Sequence, residues 1–241
     1  MTYSFRHIFR SAPVILITVN IVVFIIIAVV SLGGGNILSW LGLQSSFCAL
    51  LNRPWTPLTY AFSQANLLQL IFNMLWLYCF GMLFMICGTA RQLIALYILG
   101  ALSGAVTYMS VATLFDISSP WLLMGSSAAV ISIAVAVAVM MPDFEINLPL
   151  FGPTKIKWIV GFVVIIFFLG LSTPNAGGNL AHIGGVVAGV TGALIILSKK
   201  RRDNSNATDY DRLADKIRRS GFETLSAKER RRFFELSNKR K

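Results

Sequence analysis

Charge is what this sequence has least of. Only 13% of its 241 residues are Asp, Glu, Lys or Arg, while 56% are hydrophobic. A soluble domain carries about a quarter charged residues, so a water-dissolved globule is excluded. Acidic side chains are the rarest: before residue 199 there are only Asp116, Asp143 and Glu145, and none falls within a long apolar run. Proton and ion pathways place carboxylates within membrane spans, so their absence argues against a channel or transporter. Cysteine is scarce and odd in number. Cys48, Cys79 and Cys87 make no disulfide framework and have no histidine at metal-ligand spacing. Read as small buried hydrophobes, they imply no metal and no cofactor. There is no tandem repeat and no inverted pair of broken helices, which removes a further transporter signature.

What the chain has instead is long uncharged runs, at about 14–32, 65–86, 92–113, 125–141, 158–171 and 181–198. A helix needs about 20 apolar residues to cross a bilayer core, and the expectation is an all-α, polytopic bundle of six transmembrane helices. The first run follows Arg6 and Arg10, as in a signal peptide, but is too long for one.

The formal net charge of +11 would point to nucleic acid in a soluble protein. Here residues 199–241 hold 15 Lys+Arg against 7 Asp+Glu, leaving +3 for the rest, so the charge belongs to a tail and nucleic acid is not the expected partner. Basic segments mark the cytoplasmic side. Six crossings put both termini on one face, and Arg6, Arg10, Arg91, Lys155 and Lys157 fall there too, whereas the loops 114–124 and 172–180 lack Lys and Arg. Arg53 is the exception. The expected division is a membrane domain over 1–198 and a basic cytoplasmic tail over 199–241. Two amphipathic helices are expected in that tail, over 208–219 and 227–237, broken at Ser220-Gly221, with a capping box of Ser226 and Glu229 opening the second. Leu213, Ile217, Phe222, Phe233, Phe234 and Leu236 either pack as a small appendage or lie on anionic lipid.

Two segments are unlike ordinary spans. Residues 33–64 mix Trp40, Phe47, Trp55 and Tyr60 with Gly and Pro, a composition suited to the outer headgroup level and the rim of an outward-facing site. The fourth run offers only 15 residues from Ser127 to Met141, about 22 Å of helix. It is too short to span, so the preceding loop from Ile117 to Gly125 is expected to dip inward. Irregular backbone at that depth requires surrounding protein or a water-filled cavity.

His182 is the one ionisable side chain well inside an apolar run, since His7 belongs to the N-terminal segment. Alone it reads equally as a histidine satisfied by a neighbouring hydroxyl. Ser127 supplies a partner at the same expected depth: it opens the fourth helix from the outer side, and His182 lies one residue into the sixth. A neutral imidazole is the usual base for activating a serine. The string Met124-Gly125-Ser126-Ser127-Ala128 sits at a loop-to-helix junction, where free N–H groups and the helix dipole face an incoming carbonyl oxygen. Gln69 and Asn73, four residues apart on the second helix, with Gln64 and Asn66 at its outer end, are either interhelical glue or oxyanion donors. Ala181, Gly185 and Gly189 repeat every four residues, as do Ala128, Ser132 and Ala136. Both stripes permit close helix approach, which packing explains even without catalysis.

These residues resemble the rhomboid family of intramembrane serine proteases, in its bacterial-type six-helix form. The resemblance rests on Gly125-Ser126-Ser127 opening the fourth helix and Ala181-His182-Ile183-Gly184-Gly185 opening the sixth. It extends to Arg53-Pro54-Trp55-Thr56-Pro57-Leu58-Thr59-Tyr60-Ala61-Phe62 and to Asn73-Met74 followed by Gly81, and covers about 14–198. It implies a Ser127 nucleophile and a His182 general base without an Asp, hydrolysing transmembrane protein substrates near the outer face of a bacterial plasma membrane. It also implies an oxyanion held by the Ser127 amide, Asn73 and the side chain one turn earlier. There the sequence departs: Gln69 stands where the family usually has histidine, Gln64 where it often has another, and Ile131 where an aromatic commonly packs on the catalytic histidine. The alternative is a rhomboid-like protein that binds or escorts transmembrane helices without cutting them.

Overall fold

The computed structural model describes residues 12–114, 122–148, 152–169 and 176–239. Arg6, His7, Arg10, the 117–121 part of the expected inward loop and the 172–175 part of the last loop lie outside the described residues. The chain divides into two compact units, Met1–Ala193 and Leu194–Lys241. The expected boundary at 198/199 followed charge, whereas this division follows packing.

The first unit opens with α1 (Ala12–Leu32), followed by three short helices, α2 (Leu38–Leu41), α3 (Phe47–Asn52) and α4 (Thr56–Thr59), and a 3-10 turn at Tyr60–Phe62. The long helices α5 (Leu67–Cys87) and α6 (Ala90–Leu114) come next, then the short α7 (Ser127–Met140). A hairpin of β1 (Glu145–Leu148) and β2 (Gly152–Lys155) leads into α8 (Ile156–Leu169) and α9 (Ala176–Ser220). Among the described helices, α1, α5, α6 and the Gly178–Ser220 part of α9 are long and apolar enough to cross a membrane, while α7 and α8 are shorter. Large apolar side chains stay exposed along α1, at Ile15, Val22, Ile25 and Val29. Such a surface is tolerable against lipid and not against water, as befits an integral membrane protein.

Helix α7 is apolar all round, and every residue from Ala128 to Val137 is buried. A helix of that pattern belongs at the centre of a bundle, and its shortness has a local cause: Pro142 follows, biasing Met141 away from helical backbone. Two neighbours come unusually close. A Cβ on Gly185 of α9 would land on the Ala128 carbonyl oxygen, and one on Gly189 would sit 2.5 Å from that of Ser132. On α6, a Cβ on Gly104 would lie 2.8 Å from the Ala128 Cβ. The expected stripes on the fourth and sixth helices therefore meet, joined by a third on α6 that sequence reading did not single out.

The segment before α5 is fixed to this core. Tyr60 is 1% exposed and its hydroxyl donates to the Ala101 carbonyl of α6 at 2.7 Å. Leu43 and Leu123 exchange backbone hydrogen bonds of 3.0 and 2.8 Å, binding the chain ahead of α7 to the 33–64 segment. At the exposed edge, Trp40 and Trp55 stack at 6.4 Å, with the Arg53 guanidinium 5.0 Å from the Trp40 ring.

Two local expectations need correction. The hairpin β1–β2 was not foreseen. It pairs Glu145 with Lys155 through Leu148 with Gly152, and Asp143 beside it bonds Lys157 at 2.9 Å and Lys155 at 3.2 Å. Those ammonium groups, Lys157 first, hold the Asp143 carboxyl below its ordinary range. Second, no separate helix starts at 208. The run from Ala193 to Ser220 contains neither Gly nor Pro, so α9 continues past the change of composition at Ser198. It stops where Gly221 adopts φ 82°, a backbone conformation open to glycine and strained for other residues, and donates its N–H to the Ile217 carbonyl.

In the second unit, α10 (Ala227–Lys239) packs on the end of α9. Leu213, Leu225 and Leu236 are buried, and Tyr210 stacks on Phe233 at 5.2 Å. The expected capping box forms: the Ser226 N–H donates to Glu229 Oε2 at 2.9 Å and the Glu229 N–H to Ser226 Oγ at 3.3 Å. Glu229 also accepts from Lys216 at 3.0 Å. The Ser226 backbone bond first, then Lys216, draws the Glu229 carboxyl down to about 2.

Gly185→Ala is expected to destabilise the fold by about 1–3 kcal/mol through overpacking, read as a lower unfolding midpoint in detergent. Gly161→Ala on α8, where a Cβ meets nothing within 4 Å, should leave that midpoint unchanged or higher. Because the Glu229 pKa is depressed on folding, its contribution is present above about pH 4.5 and lost as pH falls toward 2. The protection of amides across 226–230, taken as exchange relative to the intrinsic rate at each pH, should fall over that interval in the wild type and show no such step in Glu229→Gln.

Candidate active site

Ser127 is the first residue of α7, and His182 lies in the second turn of α9. The stripe contact between these helices brings the side chains together: Ser127 Oγ and His182 Nε2 are hydrogen-bonded at 2.7 Å. His182 is 7% exposed, so the imidazole is shielded from bulk water. The four N-terminal N–H groups of a helix lack intrahelical carbonyl partners. In α7 the Val130 N–H makes an early intrahelical bond, to the Ser126 carbonyl at 2.9 Å, and the N–H groups before it lie at the serine.

Both residues line a cavity of about 390 Å³. Gln69, Phe72, Asn73 and Trp76 of α5 line it, with Met124 ahead of α7, Val130, Ile131 and Ala134 of α7, Val160, Val163 and Val164 of α8, and Gly178 of α9. All four candidate residues, Ser127, His182, Asn73 and Gln69, thus line one largely apolar cavity. Ile131 is 7% exposed and supplies aliphatic surface there.

The amides are themselves held. Asn66 caps α5 by accepting from the Gln69 N–H at 2.8 Å, and Gln69 Oε1 accepts from the Ala65 N–H at 2.8 Å, a variant of the capping box. Gln69 Nε2 donates to the Met124 carbonyl at 3.1 Å. Gly125 makes this possible: its φ is 119°, and a Cβ there would strike Gln69 Nε2. Asn73 Nδ2 donates to Gln64 Oε1 at 2.8 Å. Each primary amide has two N–H donors, so neither is exhausted by its structural bond.

Sequence reading missed three participants. Asn20 of α1 is 0% exposed and accepts from Gln64 Nε2 at 3.1 Å. Ser126, beside the candidate nucleophile, accepts from the same nitrogen at 3.0 Å. Tyr97 of α6 accepts from Asn20 Nδ2 at 3.0 Å and donates to the Ala61 carbonyl at 2.9 Å. An uncharged amide in the first apolar run was the available signal for Asn20, because a polar group in hydrocarbon needs a partner within the protein. Phe72 and Trp76 were legible as the same helix face as Gln69 and Asn73. Among the described residues, no group of His, Cys, Asp and Glu is arranged to hold a metal ion.

No curated protein matches the chain. A protein-family model described as Rhomboid domain matches residues 51–199, more than half of the chain and a stretch that contains Gln64, Gln69, Asn73, Ser127 and His182. With that match and this arrangement of helices, the chain belongs to the rhomboid family.

Proposed function

We propose that the protein is an intramembrane serine endopeptidase that hydrolyses peptide bonds of transmembrane proteins through Ser127 and His182. The observation that carries the reading is the 2.7 Å hydrogen bond between a serine at a helix N-terminus and the buried imidazole, inside a cavity of a chain whose family is generally one of serine intramembrane proteases. The reading includes six crossings, with the termini and the basic tail on the cytoplasmic side and the site near the outer face. The short helices α7 and α8 complete that count, α7 by being sheathed in protein along its length.

In this mechanism Ser127 Oγ–H donates to His182 Nε2, so the proton of the neutral imidazole sits on Nδ1. As Oγ attacks the scissile carbonyl carbon, Nε2 takes the hydroxyl proton. The carbonyl oxygen becomes an oxyanion, which the N–H groups at the start of α7 and the second N–H groups of Asn73 and Gln69 stabilise. Nε2 then returns the proton to the leaving amine as the C–N bond breaks, and water attacks the acyl-serine with His182 again as base. Without an aspartate, His182 is oriented by its burial and its serine bond. The apolar walls supplied by Phe72, Trp76 and the α8 valines suit an apolar substrate segment, and the absence of metal or cofactor from the scheme costs it nothing, since acyl transfer needs only base and oxyanion donors.

Reconstituted protein should cut a single-span model substrate with small and helix-destabilising residues near its outer end. Ser127→Ala and His182→Ala should each abolish cleavage. A wild type that binds the span without cutting it would make the chain an escort for transmembrane helices. Gln69→His, which installs the residue usual for the family, is expected to raise the cleavage rate; one oxyanion donor in a soluble protease is worth about 10²–10³ in turnover, so the gain should be readable in initial rates.

A further inference from the structure

The buried amide chain behind the cavity has a direction that satisfying polar groups does not require. Gln64 is 1% exposed. Both hydrogens of its Nε2 are committed, one to Asn20 Oδ1 at 3.1 Å and one to Ser126 Oγ at 3.0 Å. Its amide therefore cannot rotate by half a turn without setting a donor against the Asn73 donor and a carbonyl against Asn20. That locks Oε1 toward Asn73, whose Nδ2 donates to it at 2.8 Å. Asn20 is locked in turn: its Nδ2 donates to the Leu16 carbonyl at 2.9 Å and to the Tyr97 hydroxyl at 3.0 Å, leaving Oδ1 for Gln64. Among the described residues lining the cavity, neither Asn20 nor Gln64 appears, whereas Asn73 does.

We infer that Gln64, held in one orientation by Asn20 of α1, is a positioning residue that fixes the Asn73 amide so that its second N–H is presented to the oxyanion. This rests on the protease reading above and extends the catalytic apparatus to the first helix, which donates no group to the cavity. A hydrogen bond between transmembrane helices stabilises the fold only slightly, so the chain's stabilising effect is modest. Its effect on rate is larger, because a donor misaimed by about 1 Å costs on the order of 10² in a preorganised site.

The test uses the full chain in detergent and an alkyl fluorophosphonate. Ser127 Oγ displaces fluoride from phosphorus, its proton passes to His182, and the phosphoryl oxygen occupies the oxyanion position. Gln64→Met keeps length and removes both ends of the relay; Asn20→Leu cuts it one residue further back. Each is expected to lower the maximal phosphonylation rate about 10- to 100-fold for Gln64→Met, and less for Asn20→Leu, with the half-saturating probe concentration within about twofold of wild type. In an Asn73→Ala background both substitutions should change the rate by less than about twofold, since the group they aim is gone. Equal losses with and without Asn73 would overturn the inference in favour of a general packing role, as would variants as fast as wild type. If Gln64→Met fails to fold, Asn20→Leu decides the point alone. A wild type that does not react at Ser127, with its fold verified, overturns the protease reading itself, an outcome distinct from a reactive wild type with indifferent relay variants.

Discussion

The hydrogen bond between a hydroxyl on one helix and an imidazole on another is made where the two backbones nearly touch, and that approach organises the first unit. Gly185 and Gly189 of α9 lie against the Ala128 and Ser132 carbonyls of α7, where side chains of ordinary size would hold the helices apart. Lipid tails are as apolar as leucine, so no hydrophobic drive joins helices within a bilayer, and tight van der Waals contact takes its place. The small residues that build the contact also set the Ser127–His182 geometry. Packing and chemistry therefore depend on the same positions.

The second constraint is the cost of polarity in an apolar medium. Asn20, Gln64, Asn73, Ser126 and Tyr97 are all buried, and each finds its partners within the protein. The consequence is a connected chain running from α1 and α6 to the wall of the cavity, because an isolated amide at that depth has nowhere else to send its hydrogens. Gln69 obeys the same rule differently, spending its carbonyl on the entrance to α5 and one N–H on the Met124 carbonyl. A site made this way needs no charged residue. That accords with a sequence whose apolar runs contain none.

How much of this was legible beforehand varied with the kind of signal. Long uncharged runs located the helices, and the shortness of the fourth pointed to an inward loop ahead of it and a cavity, whereas its burial on every side was seen only in the structure. Ser127 and His182 stood out because a hydroxyl at a helix start and a lone intramembrane histidine are both exceptions to their surroundings. The partners of Asn73 were not legible: hydrogen-bond connectivity across 9 to 77 residues leaves no local pattern. Nor was the α6 stripe recognised, because Gly100 and Gly104 read as ordinary small residues of a span until their neighbour is known. The tail helix was misjudged for a different reason. Composition changed at Ser198, but no Gly or Pro interrupts residues 193–220, and the helix runs on until the glycine at 221.

Activation of Ser127 by His182 is open to a single experiment: treating the detergent-solubilised protein with a fluorophosphonate and locating the adduct by peptide mass. One phosphonyl group is expected, on the peptide at Ser127, and none when His182 is replaced by alanine. A correctly folded wild type with no adduct, or with the adduct on Ser126 or Ser132, would contradict it.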